Sequence, residues 1–447
     1  AEAERELERI RCGSPGEAAR AAYLEAIVIA QKAVIRFARR YARLAAEEAA
    51  AAEEPRRSDL ELMAETCMRV PELPARSFRE ALQSLWFTYL VITPSSVAPL
   101  GRLDQLLFPF YERDAREGRI SDAEVVELLQ CLRLKDMQVD RVAGKVNRKK
   151  HSGQAKWHNC TIGGVTRDGR DATNRLSYLI LEAARDCPTP HHTITIRVHE
   201  GTPDDLIEKG LEVVRLGLGL PAFVSDRSYI SFLTHSGVPL EEAREYVLAG
   251  CLDAALPARS RVVSFPFVIV PLIFEVTLNN GRHPGSGEPI GLETGEPDSF
   301  PDFESLLAAV KAQLRHFLAL TAERNHAELA VQREVYPAPV LSSLLENGAA
   351  SGYDYLDRRM PFENGSVMCP VGMINLADSL AAIRKLVFEE HRLTLLELKT
   401  VLDADWAGQE ALRQEFLAAP KYGNDDDYVD SIAADLYRFW AATVAGM

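Results

Sequence analysis

Apolar positions recur every three or four residues from the start of the chain to about residue 92. The run "EAARAAYLEAIVIAQKAVIRFARRYARLAAEEAAAAEE" (17–54) sets them over a charged face, which predicts amphipathic helix. "EEPRRSD" reads as a turn, and "SFREALQSLWFTYLVI" (77–92) as a second amphipathic helix. The texture changes near residue 93. Short β-branched runs, "CTIGGV", "HTITIRVH", "PAFVSD" and "RVVSFPFVIV", alternate with helical ones, "DATNRLSYLILEAARD", "TPDDLIEKGLEVVRLGLG" and "PLEEAREYVLAG". Strand, helix and strand in this order predict crossovers and a parallel sheet or barrel. Residues 303–335, 376–401 and 425–442 return to a helical pattern, and 279–302, rich in Gly and Pro, reads as a surface loop. The expected organisation is a helical N-terminal part, 1–92, and a barrel core, 93–447, without internal repeats.

Composition narrows the class. The 447 residues are 47% hydrophobic and 26% charged, enough to bury a sizeable core. A net charge of −14 argues against a nucleic-acid or anionic-membrane surface. The longest apolar run, Val262–Phe274, is interrupted by Ser264, Pro266 and Pro271 and is too short to span a bilayer. Seven cysteines (12, 67, 131, 160, 187, 251, 369) are scattered without a Cys-x-x-Cys pair, which points to free thiols in a reducing compartment and to no metal site. No signal peptide opens the chain, so a cytoplasmic location is expected.

One cysteine stands apart. "LAGCLDA" (248–254) places Cys251 after a glycine, with Asp253 two residues on. Gly250 permits positive φ, and in an extended tip residues i and i+2 face one space. A carboxylate beside a thiol disfavours thiolate, the opposite of what an ionic cysteine nucleophile needs. A thiol kept protonated in a dry cavity suits hydrogen-atom chemistry. Packing as a small buried hydrophobe is the alternative, as is an ionic hydrolase using His191, His192 or His199 as base.

Longer segments carry a resemblance. "LGRLDQLLFPFYERD" (100–114), "CTIGGVTRDGRDATNRLSYLILEA" (160–183), "RLGLGLPAFVSD" (215–226), "YVLAGCLD" (246–253), "LNNGRHPGSGEPIGLETG" (278–295), "GMINLADSLAAIRKLVFEE" (372–390) and "PKYGNDDDYVDSIA" (420–433) follow one another in the order found in glycyl radical enzymes. The chain resembles that family, which includes pyruvate formate-lyase and its dehydratase, lyase and decarboxylase relatives. The resemblance implies a ten-stranded α/β barrel of two five-stranded half-barrels with the Cys251 loop at its centre. It also implies a glycyl radical installed by a radical-SAM activase, a thiyl radical on Cys251, a homodimer and anaerobic metabolism. Asp253 stands where the family carries Glu, a general base in dehydrating members. The family's Arg-Val-x-Gly-Tyr-like radical loop is not found before Met447, and "RVAGK" (141–145) reads as a coincidence. The radical glycine is therefore expected outside 1–447, in a longer enzyme or a separate chain.

The substrate is less constrained. Leu252 excludes the adjacent-cysteine pair of pyruvate formate-lyase, and "TPSSVAPLGRLDQ" offers Ser95 and Ser96 where diol dehydratases carry His-Ser. Phe265 and its neighbours suggest an apolar wall or barrel core, and Arg259 with Arg261 a carboxylate clamp or surface charge. Trp157, His158 and Cys369 fall in segments that approach the cavity in relatives, with core packing the alternative for Trp157 and Cys369. Elimination, or cleavage of a carbon–carbon or carbon–heteroatom bond in a small organic substrate, is the favoured reaction. Fumarate addition, arylacetate decarboxylation and an inactive assembly paralogue are the alternatives.

Overall fold

Ser14 accepts the backbone N–H of Glu17 at 3.3 Å and Pro15 takes the first helical position, so the helix Pro15–Ala51 starts where the apolar periodicity starts. Its buried residues Leu24, Ile27, Val34, Ala38, Ala42, Ala45 and Ala49 keep the three- and four-residue spacing of one face. The computed structural model describes residues 1–447 apart from 11–13, 93–98, 140–144, 146–148, 150–157, 251, 265, 359, 361 and 367. The chain divides into two units, Ala1–Val262 with Tyr336–Asn364, and Val263–Val335 with Gly365–Met447. The helical stretch 1–92 lies wholly in the first unit, with the chain that follows it.

In the first unit, strand β1 (Asn159–Gly163), the helix Arg175–Asp186, strand β2 (Thr193–Val198), the helix Asp204–Val214 and strand β3 (Ala222–Ser225) succeed one another. The three strands form a parallel sheet in the order β1-β2-β3, with Cys160 opposite Ile194 and Ile196 opposite Phe223. The alternation predicted from sequence is thus borne out here. Buried Ile162, Ile194, Ile196, Leu176, Leu179 and Leu206 join the sheet to its covering helices.

"PLEEAREYVLAG" is not one helix. Only Leu240–Ala243 is helical, and Val247–Ala249 is strand β4, antiparallel to β5 (Asp253–Ala255). Gly250, at φ +56°, turns the chain after β4, and cross-strand pairing overrides the helical spacing of Leu240, Ala243 and Val247. The N–H of Leu248 donates to the Thr161 hydroxyl at 3.1 Å, tying β4 to β1.

In the second unit, strands Phe267–Ile269 and Cys369–Val371 pair in parallel, and the helices Val270–Leu278, Phe303–Val335, Met373–Ile383 and Asp427–Ala445 share a core that includes Val270, Leu314, Leu380, Val429 and Leu436. The predicted helix 376–401 is interrupted. A π-helical turn, Arg384–Glu389, precedes His391 at φ +49°, and a Thr394–Glu397 capping box begins a new helix, Leu395–Asp403. The surface loop 279–302 is anchored by fully buried Gln313, which accepts from the N–H of Leu292 at 3.0 Å and donates to its carbonyl at 2.6 Å. Among the described residues no helix is long and apolar enough to cross a membrane.

Candidate active site

The end of β1 is held by the segment Gly101–Gln105. Arg102 donates to the carbonyls of Gly163 at 2.8 Å and Val165 at 3.1 Å. Asp104 accepts from the Gly163 N–H at 2.8 Å and from the Ser177 hydroxyl at 2.7 Å, while Gln105 donates to the Ala172 carbonyl at 2.8 Å. Asp104 is fully buried, and that burial pushes its carboxyl above the usual carboxylate range. The motif that marks the family resemblance is, in this chain, a clasp on the sheet.

A second polar group lies between β2 and β4. Arg197, fully buried, donates to both oxygens of Asp226 at 2.7 and 2.9 Å and to the carbonyls of Tyr246 at 3.0 Å and Arg244 at 2.8 Å. Its guanidinium carbon is 3.9 Å from the centroid of the Tyr246 ring, and the Tyr246 hydroxyl donates to Asp226 at 2.9 Å. Tyr229 stacks on Tyr246 at 5.1 Å with 8° between the ring planes. Gly164, at φ +75°, makes room for this arrangement, since a Cβ there would meet Arg197 Nε at 2.5 Å.

These groups fix the start of β4, and β4 leads into the connection Gly250–Leu252. Cys251 itself lies outside the described residues. Gly250 has the positive φ expected of it. Asp253 opens β5 opposite Ala249, is half-buried, and has its carboxyl pushed above the usual range by burial. A carboxylate of this kind binds a proton more readily than an exposed one, as a general base must.

The other candidates are placed differently. His158 is buried, its Nδ1 lying 2.6 Å from Asp136 Oδ1 and its ring edge-on to Tyr89, so it belongs to a buried polar pair. Arg259 is engaged by Glu242 at 2.5 Å and Glu346 at 2.6 Å, so its guanidinium fork serves carboxylates of its own chain. Cys369 is half-buried and not in a disulfide, in a strand of the second unit. Ser96, Trp157 and Phe265 lie outside the described residues, as does the side chain of Arg261. His192 is buried beside Arg133, and the two effects push its imidazole down to about 3, while His199 lies 3.1 Å from Asp171. Among the described residues no group of three or more His, Cys, Asp or Glu side chains is placed to hold a metal ion. An open cleft of about 1050 Å³ is bordered by Val198, His199, Phe223, Asp226, Arg227 and Arg244.

A family model for pyruvate formate lyase-like proteins matches residues 1–447. The chain belongs to the pyruvate formate lyase-like family. This pyruvate formate lyase-like chain is 36% identical over 427 residues to the isethionate sulfite-lyase of Oleidesulfovibrio alaskensis, covering 93% of itself and 51% of that relative. It is 32% identical over 431 residues to the trans-4-hydroxy-L-proline dehydratase of Clostridioides difficile, covering 95% of itself and 54% of the dehydratase. The solved glycerol-bound glycerol dehydratase of Clostridium butyricum matches with a TM-score of 0.93 at 31% identity, over 100% of this chain and 57% of that one. All three relatives are glycyl radical enzymes, so the resemblance read from the sequence segments holds, and the fold is theirs. The chain spans about half the length of the curated relatives it matches.

Sequence reasoning missed the Arg197, Asp226, Tyr246 and Tyr229 group. One signal was present: "HTITIRVH" puts an arginine inside a strand otherwise fit for burial, and a buried charge requires a partner.

Proposed function

We propose that this chain is the catalytic barrel, ten-stranded in its complete form, of a glycyl radical enzyme that eliminates a leaving group from a small organic substrate. The observation that carries the reading is Asp253, half-buried with a raised proton affinity at the start of β5, two residues beyond Cys251. The glycyl radical, installed by a radical-SAM activase, supplies a hydrogen-atom acceptor for the Cys251 thiol. The Cys251 thiyl takes a hydrogen atom from a substrate carbon, so a C–H bond breaks and an S–H bond forms. Asp253 then takes a proton from the substrate's hydroxyl or other acidic group as the leaving group departs from the neighbouring carbon. The hydrogen atom returns from Cys251 to the product radical. Relatives named for dehydration and for sulfite release both cleave a bond of this class, which supports elimination over fumarate addition or decarboxylation. The setting that follows is anaerobic and cytoplasmic, with a homodimeric enzyme.

The test is elimination by the full-length, activated enzyme on small hydroxylated and sulfonated substrates, with Cys251→Ser beside it. An O–H bond is far harder to cleave homolytically than S–H, so the variant is expected to fold normally and to lose turnover. Turnover retained by Cys251→Ser overturns the reading.

A further inference from the structure

Leu252, the residue between Cys251 and Asp253, leaves its side chain exposed (40%), so no burial of that side chain fixes the tip of the hairpin. Its carbonyl is fixed instead. The Tyr229 hydroxyl, from the helix Asp226–His235, donates to the Leu252 carbonyl at 2.9 Å. The Tyr229 ring lies nearly parallel to that of Tyr246, 5.1 Å between centroids, and Tyr246 is fully buried. Asp226 accepts the Tyr246 hydroxyl at 2.9 Å, and Arg197 covers the ring at 3.9 Å from its centroid. A continuous pile therefore runs from the buried Arg197–Asp226 ion pair, through two stacked rings, to one peptide of the hairpin tip. Burial and the neighbouring Asp253 both raise the proton affinity of the Tyr229 phenol, so it remains a donor at neutral pH.

We propose that Tyr229 is a positioning residue that, through the Leu252 carbonyl, sets the direction in which Cys251 and Asp253 meet the substrate. This rests on the proposed roles of those two residues. Gly250 leaves the backbone ahead of Leu252 free to adopt more than one direction, and reacting groups tolerate little misplacement. A displacement on the order of 1 Å lowers a rate by about a hundredfold.

Tyr229→Phe keeps the stacked ring and deletes only the donor. In the full-length, activated enzyme it is expected to lower kcat by about ten- to a hundredfold while leaving KM and the amount of glycyl radical nearly unchanged. In the unactivated protein, iodoacetamide is expected to label Cys251 about two- to tenfold faster, the range set by loss of one neutral hydrogen bond. A Tyr229→Phe protein with wild-type kcat and wild-type labelling, even with a lowered Tm, assigns Tyr229 to packing alone and overturns the proposal. Labelling requires no radical chemistry, so it judges the tether even where Cys251→Ser has shown the functional reading to be wrong.

Discussion

The guanidinium carbon of Arg197 lies 3.9 Å from the centroid of the Tyr246 ring, and neither residue is exposed to solvent. The contact joins β2 to the residue that precedes β4, so the sheet and the hairpin meet at one buried charge. Burying that charge is tolerable because Asp226 is paired with it through both oxygens and two backbone carbonyls take two of its three remaining donors.

Removing one partner leaves the other charge stranded. Asp226→Ala is expected to destabilise the protein by about 3–5 kcal/mol, the usual penalty for breaking a buried pair. Arg197→Lys is expected to fall near Asp226→Ala rather than near wild type, because an ammonium lacks the planar fork and the ring stacking. Urea unfolding of the two variants checks both statements. A Lys variant as stable as wild type would show that charge alone is enough.

Gly164 faces the same arginine. An alanine there adds a Cβ 2.5 Å from Arg197 Nε and 2.7 Å from Cζ, at φ +75°. Gly217 has the same φ of +75° and nothing within 4 Å of its ideal Cβ. Both substitutions carry the left-handed strain of about 1–2 kcal/mol, but only Gly164→Ala must also displace the guanidinium. The difference in Tm between the two variants isolates the clash. Equal losses would mean that Arg197 yields without cost.

Asp104 tests the clasp on β1. Asp104→Leu leaves the Gly163 N–H and the Ser177 hydroxyl without their acceptor, at about 1–3 kcal/mol for each unsatisfied group. Asp104→Asn keeps an acceptor oxygen and removes a titrating group whose proton affinity burial raises. A raised folded-state pKa means the folded chain binds more protons than the unfolded one between the two pKa values. The carboxyl's contribution to stability therefore falls as pH rises through the ordinary carboxylate range towards the folded value. Asn is expected to flatten that fall, which urea unfolding across pH would detect. An unchanged slope would remove Asp104 from the pH response.

The features legible in the sequence were those encoded over a short span. Ser14, Pro15 and the spacing from Leu24 to Ala49 specify a helix locally. The strand–helix–strand order between Asn159 and Ser225 specifies a parallel sheet through crossover geometry. Val247–Ala249 was misread because its apolar spacing also suits a helix, and its strand state depends on pairing across Gly250 with 253–255. The pairing of Cys251 with Asp253 could be proposed from sequence because a single residue, Leu252, lies between them. The buried ion pair beside the hairpin was not legible: Arg197 and Asp226 stand 29 positions apart and meet only once β2, β3 and the following helix have packed. The spacing of "GRLDQ" likewise conveyed family membership without its mechanical role, which requires β1 beside it.

Asp253 is where the structure and the proposed chemistry can be set against each other. Burial raises its pKa, so as a base it stays protonated to a higher pH than an exposed aspartate, whose value is about 3.9. The acid limb of kcat for the activated enzyme is therefore expected above the ordinary carboxylate range. Asp253→Asn should lower the rate by about 10² to 10⁴-fold, the usual contribution of a general base. The same burial gives stability the opposite sign. With the folded pKa above the unfolded one, ionising Asp253 at neutral pH weighs against the folded state, and that penalty grows as pH rises through the window between the two values. Asp253→Asn removes it, so this variant is expected to be at least as stable as wild type at pH 7 while being far slower. Asp253→Glu, which restores the acid usual in the family, keeps a titrating group and should retain an acid limb that Asn lacks. Loss of rate together with loss of stability in Asp253→Asn would identify the carboxylate as a structural contact of the hairpin rather than the proton acceptor.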